Sequence, residues 1–175
     1  MDPDQRKFSS YSGEYGGNGG DYFDQSSNQF EGPISAMKIR SNDRGILSIQ
    51  VCYGDIWSNN EGTTAGRPLD MHLSFGEGLV QVNGRFGNTV EYLAFRTNMG
   101  HVFAFGPNSG LGLPFTAEPS YPNTVLRFIS GRDPTGTYRK DGRCSLKDIC
   151  SAHPVDVMGR RNNLEEQGEE VQPGQ

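Results

Sequence analysis

Leu47-Ser48-Ile49-Gln50-Val51-Cys52-Tyr53 alternates apolar and smaller or polar side chains, and Leu69-Asp70-Met71-His72-Leu73-Ser74-Phe75 repeats the pattern. Successive side chains of a strand point to opposite faces. A period of two therefore puts Leu47, Ile49, Val51 and Tyr53 on one face of a half-buried antiparallel strand, and Leu69, Met71, Leu73 and Phe75 on one face of another. Working outward, shorter strand candidates are Ile34–Arg40, Leu79–Phe86, Val90–Thr97, His101–Phe105, Pro114–Ala117 and Thr124–Ser130. Turn residues punctuate them: Asp43-Arg44-Gly45, Tyr53-Gly54-Asp55, Gly76-Glu77-Gly78, Gly87-Asn88, Asn98-Met99-Gly100 and Gly106-Pro107-Asn108. Short strands at this spacing build a sandwich, a barrel or a prism of small sheets. The fold class is all-β.

Composition agrees and removes several function classes. Of 175 residues 24 are Gly and 10 are Pro, which favours tight turns over helices. A net charge of −5 gives no electrostatic case for nucleic acid or an anionic membrane surface. No apolar run approaches the length of a membrane span, and Met1-Asp2-Pro3-Asp4 does not open like a signal peptide. Three cysteines, Cys52, Cys144 and Cys150, allow at most one internal pair, and their spacing matches no zinc site. No Ser, Cys or His stands at a recognisable catalytic spacing, so neither an enzyme nor a cofactor is expected.

The alternation stops at Arg132. Beyond it apolar residues are scattered, and Leu164-Glu165-Glu166-Gln167-Gly168-Glu169-Glu170 is acidic and without a stripe. Residues 1–7 are expected to be flexible, 8–132 to form the domain, and 133–175 to be a largely disordered polar tail. Near the start, Tyr11-Ser12-Gly13-Glu14-Tyr15-Gly16-Gly17-Asn18-Gly19-Gly20 holds four glycines in its last five positions. Such a run leaves main-chain N–H groups uncovered and lets a ligand approach the backbone. It is also what a plain linker or turn looks like.

Four segments carry a resemblance: Tyr11–Gly20, Gly32-Pro33-Ile34-Ser35-Ala36, Ile49–Gly54 and Asn123-Thr124-Val125-Leu126-Arg127-Phe128-Ile129-Ser130-Gly131-Arg132. Together they resemble the jacalin-related lectins, most of all the family's mammalian secretory members, over about residues 9–132. The resemblance implies a β-prism of three antiparallel sheets, a mannose-type glycan or glycoprotein as partner, no metal, and a secreted or secretory-granule location. It also implies a sugar held between a glycine-rich loop, here Gly16, Gly17, Asn18, Gly19 and Gly20, and a Gly-x-x-x-Asp binding loop. A recognition loop, here Gly84–Thr89, flanks it with Arg85 and Asn88. Backbone donors and one carboxylate can read a hexose, because each hydroxyl both donates and accepts.

This chain departs from the family after Arg132. Asp133-Pro134-Thr135-Gly136-Thr137-Tyr138-Arg139-Lys140-Asp141 puts Gly136 and Asp141 one residue too far apart, and no apolar strand follows. The expectation is a β-prism lacking its last strand, with Asp141 as the remaining candidate carboxylate and sugar binding impaired. The alternative is a degenerate lectin domain that binds protein, or a nonfunctional splice product. Elsewhere, Tyr11, Tyr15, Tyr22, Phe23 and Trp57 read as packing residues with a lesser chance of stacking on sugar. His72, on the polar side of its strand, reads as a solvated histidine, while His101 at the start of a strand and His153 in the tail have no Cys, Ser or Asp at a recognisable catalytic spacing.

Overall fold

The computed structural model describes residues 10–11, 15, 20–109, 111–118, 123–133 and 145–151, with backbone only for 10–11, 133 and 145–151. Its strands are β1 (Ser10–Tyr11), β2 (Asp21–Asp24), β3 (Ile34–Ser41), β4 (Ile46–Tyr53), β5 (Ile56–Trp57), β6 (Glu61–Gly62) and β7 (Leu69–His72). They continue with β8 (Leu79–Phe86), β9 (Val90–Thr97), β10 (Val102–Phe105), β11 (Leu113–Ala117), β12 (Leu126–Asp133) and β13 (Ser145–Ser151). One turn of 3-10 helix, Asn28–Glu31, follows β2. All pairings are antiparallel and form three sheets, a β-prism. The first has the order β1-β13-β12-β2, the second β5-β4-β3-β7 with β6 also on β4, and the third β10-β9-β8-β11.

The inner faces of the three sheets meet in one core. Met37, Ile39, Ile49, Val51, Tyr53 and Met71 come from the second sheet, Leu79, Val82, Leu93, Phe95 and Phe105 from the third, and Phe23, Phe128 and Ile129 from the first. Alternation in β4 is only half of the story. Ile49, Val51 and Tyr53 point inward as the period demands, yet Ser48 and Cys52 on the other face are also buried. Their cover is local: Arg40 Nη1 donates to Ser48 Oγ at 3.4 Å, and β6 and β5 pair opposite Ser48 and Cys52. Cys52 is thus a buried free thiol. In β7 only Met71 is buried; Leu69, the first residue of the strand, is 58% exposed, and Phe75, past its end at His72, is 64% exposed.

One expectation needs correcting. The prism does not lack a strand beside β12. Ser145–Ser151, from the segment 133–175 expected to be a largely disordered tail, forms β13 and runs antiparallel between β12 and β1. Its register pairs Ile149 with Ile129 and Ser145 with Arg132, with irregularities between Leu126 and Phe128 and between Ser130 and Gly131. Main-chain pairing needs no apolar periodicity, and filling this slot keeps the N–H and C=O groups of β12 in a ladder. Residues 152–175 lie outside the described residues.

A second polar device locks two sheets together. The Tyr53 hydroxyl donates to Gln25 Oε1 at 2.7 Å, Gln25 Nε2 donates to Ser58 Oγ at 3.1 Å, and the Gln25 N–H donates to the Ile129 carbonyl at 3.1 Å. Tyr53 and Gln25 are buried, and burial raises the Tyr53 phenol well above its ordinary value. Neutral and hydrogen-bonded, these groups satisfy the requirement for polar atoms inside a core.

Candidate functional site

Strand direction decides which loops share an end of the prism. Asp21 pairs with Asp133, Arg132 with Ser145, and Tyr11 with Cys150. The start of β2, the end of β12 and the start of β13 therefore share one end of the first sheet; residues 12–20 connect β1 to β2, and residues 134–144 connect β12 to β13. Gly16, Gly17, Asn18 and Gly19 of the first connection and Asp141 of the second lie outside the described residues. The residues that bracket the glycine run are described and anchored. Arg132 Nη1 donates to the Gly20 carbonyl oxygen at 3.1 Å, so β12 holds the downstream end.

Tyr15 holds the upstream end. Its ring stacks on Phe115 at 4.0 Å between centroids and 13° between planes, and meets Phe86 at 5.8 Å. Phe86 and Phe115 themselves lie 5.9 Å apart. Three rings in mutual contact are favourable beyond the area they bury, and they tie Tyr15, just before the glycine run, to the end of β8 and the middle of β11. Gly84, on β8, leaves the space that the Phe115 ring occupies. Tyr15 is accordingly a packing residue. Tyr22 is 52% exposed and Phe23 is 9% exposed, while the side chain of Tyr11 lies outside the described residues.

Phe86 ends β8, and the turn Gly87-Asn88-Thr89 follows it. The Gly87 N–H donates to the Thr89 carbonyl at 3.0 Å, and Asn88 is exposed at the tip. Arg85 points elsewhere. Its Nε donates to Asn108 Oδ1 at 2.9 Å and its Nη1 donates to the Gly112 carbonyl at 3.0 Å. The guanidinium therefore bridges to the β10–β11 connection. Sequence reading offered Arg85 as a rim residue but gave no hint of partners 23 and 27 positions away.

A cluster that sequence reading missed lies at the opposite end of the third sheet, beside the β9–β10 turn. The Glu77 side chain is 1% exposed. Its carboxylate accepts from Thr97 Oγ1 at 2.6 Å, from the Ser74 N–H at 3.0 Å and from His101 Nδ1 at 2.6 Å. Burial would raise its pKa, but the Thr97 hydroxyl, the Ser74 N–H and His101 together hold it below the ordinary carboxylate range. Two loops are thereby clamped together. The signal available in sequence was an acidic residue between Gly76 and Gly78, which reads as a turn. His72 is exposed and 3.9 Å from Asp70, and His153 lies outside the described residues. Trp57 is half-buried, with the Lys38 ammonium 4.4 Å from its ring centroid. Among the described residues, no group of three or more His, Cys, Asp or Glu side chains converges on a metal-sized site.

Three antiparallel sheets around one core, with a glycine-rich connection bracketed by Tyr15 and Gly20, define a β-prism. A family model, the jacalin-like lectin domain, matches residues 12–135, and the chain belongs to that family. Zymogen granule membrane protein 16 of Rattus norvegicus is 48% identical over 128 residues, 73% of this chain and 75% of that protein. The Homo sapiens protein of that name is 46% identical over the same shares. Among solved structures, a prostate-specific WGA16 glycoprotein lectin has a TM-score of 0.65 at 24% identity, covering 83% of this chain and 99% of that one. Artocarpin, a lectin with mannose specificity, has a TM-score of 0.65 at 22% identity, covering 83% and 98%. At those identities the structural likeness speaks for the fold alone.

Proposed function

We propose that this chain is a non-catalytic, metal-independent lectin domain that binds mannose-type glycans at the end of the prism marked by Gly20, Arg132 and the 87–89 turn. The observation that carries this reading is the anchoring of the glycine run from both sides, by Tyr15 against Phe86 and Phe115 and by Arg132 at Gly20. Fixed ends reduce the ordering cost of binding a small ligand. Gly16, Gly17, Asn18, Gly19 and Gly20 would offer backbone donors, and Asn88 an amide at the rim. Asp141, the acidic residue of segment 134–144, would offer the carboxylate. The mannose specificity of artocarpin supports the sugar class, and the zymogen-granule names of the relatives support a secretory-granule setting.

Calorimetric titration with methyl α-mannoside tests the proposal. Asp141→Ala should weaken binding by about tenfold or more, since charge-assisted bonds to two hydroxyls are the strongest contacts such a site can make. Its melting temperature should not change. Equal affinity in the variant removes Asp141 from the site, and absence of glycan binding by the unaltered chain refutes the reading.

The altered spacing of Gly136 and Asp141 favours a second reading, a lectin domain whose sugar contacts are weakened and which binds protein instead. Binding of a deglycosylated partner at the strength of its glycosylated form would favour it.

A further inference from the structure

The outermost strand of a sheet turns a row of main-chain N–H and C=O groups toward any second strand that can reach it. Among the described residues, the outer strands are of two kinds. β2 carries Asp21 and Asp24, β7 carries Asp70, β11 carries Pro114, and β1, β5 and β6 are only two residues long. Charge, proline and shortness all discourage further pairing. β10, Val102-Phe103-Ala104-Phe105, has four residues, no charge and no proline.

The register fixes what β10 turns outward. The Thr97 N–H donates to the His101 carbonyl at 2.9 Å, and bonded and non-bonded pairs alternate along an antiparallel ladder. Phe103 with Phe95 and Phe105 with Leu93 are then the bonded pairs, and the N–H and C=O of Val102 and Ala104 point away from β9. Both residues are exposed, Val102 by 62%, and no other described strand pairs with that side of β10. The strand is also held in place. His101, just before it, bonds the buried Glu77 carboxylate at 2.6 Å, its ring meets Phe103 at 6.5 Å, and Phe105 is buried in the core. A strand already fixed loses little freedom on pairing.

We infer that the free edge of β10 is an interface for a second copy of this chain, which adds its own β10 antiparallel about a two-fold axis at Phe103. In that register Val102 lies opposite the second copy's Ala104, and the outward groups of these residues make four main-chain hydrogen bonds. The surface is self-complementary, as a two-fold interface must be. Charge allows it too. Arg96, the one charged residue of β9 in the stretch paired with β10, stands beside Val102 and so falls in line with the second copy's Ala94, away from the second copy's Arg96. The same operation on β2 would set Asp21 against Asp24, and like charges directly opposite are unfavourable.

Sedimentation of the full chain from about 10 µM to about 1 mM tests this. A small interface predicts a monomer–dimer equilibrium with a Kd on the order of 100 µM. Exchange of the Val102 and Ala104 amide hydrogens should slow as the dimer forms. Ala104→Pro removes an N–H that makes no bond to β9, and Val102→Lys places a charge on an exposed position. Each should raise the dimer Kd about tenfold or more with the melting temperature of the monomer unchanged. Val102→Lys decides the matter alone if Ala104→Pro does not fold. A chain that stays monomeric at 1 mM overturns the inference, and so does a dimer that Val102→Lys leaves as tight as before. Slow exchange of both amides in a monomeric sample assigns the edge to another segment of the same chain and overturns the second copy as its occupant.

Discussion

A methyl group on Gly84 would sit 2.4 Å from two ring carbons of Phe115 and 2.5 Å from the Tyr92 carbonyl oxygen. No rotation of a side chain relieves a clash with backbone, so Gly84→Ala must push β8 away from β9 or Phe115 out of its place. The expected cost is about 1–3 kcal/mol, typical of overpacking, measured as a fall in the urea midpoint. Because Phe115 carries the Tyr15 ring, mannoside binding should weaken in the same variant. Glu77 makes a different prediction, in pH. Its folded pKa lies below the unfolded value, so its contribution is fully present above the unfolded value and is lost as pH falls through the folded one. Glu77→Gln should lower the urea midpoint at neutral pH. The gap between variant and parent should close as the solution is acidified below the ordinary carboxylate range. A gap that stays constant down to strong acid would show that the carboxylate charge contributes nothing.

At the scale of elements, β13 occupies the slot between β1 and β12. Ending the chain after Asp141 removes it, strands the two-residue β1, and leaves β12 with an open edge. Such a protein should melt at a clearly lower temperature and associate through that edge, as light scattering would detect. A chain in which residues after Arg132 are exchanged for a family-type Gly-x-x-x-Asp loop and apolar strand should bind mannoside more tightly than the parent. Equal melting of the parent and the shortened chain would mean that β13 adds nothing. The long strands were legible in sequence because their inner residues, such as Ile49, Val51 and Met71, obey a period of two. β13 was not, since Lys147 and Asp148 interrupt any apolar pattern and its place is fixed by main-chain pairing with a strand already read. The two-residue strands β1, β5 and β6 are too short to carry a period at all. Of the site, the glycine run showed itself by composition. The Arg85 bridge and the contact of Glu77 with His101 join residues 23 to 27 positions apart, which no local pattern records.

At the scale of the whole molecule, the proposed metal-free glycan site makes a prediction about the strength of binding. A few hydrogen bonds to one hexose yield about −4 kcal/mol, or a Kd of roughly 1 mM. Monovalent mannoside should bind near that value, and EDTA should leave it unchanged. Display of many mannose units on one surface should raise the apparent affinity by about 10²-fold or more if copies of the domain engage together. Loss of binding on chelation would contradict the metal-free site.

The order β1-β13-β12-β2 has a consequence for how the molecule comes into being. The second and third sheets are each made from one continuous stretch, Ile34–His72 and Leu79–Ala117, so each can close as soon as its own residues leave the ribosome. The first sheet joins Ser10 to Ser151 and cannot be finished until nearly all of the chain has been made. Contacts so far apart in sequence form slowly. During synthesis, then, two finished sheets wait with one side of their shared core uncovered until the last strand arrives.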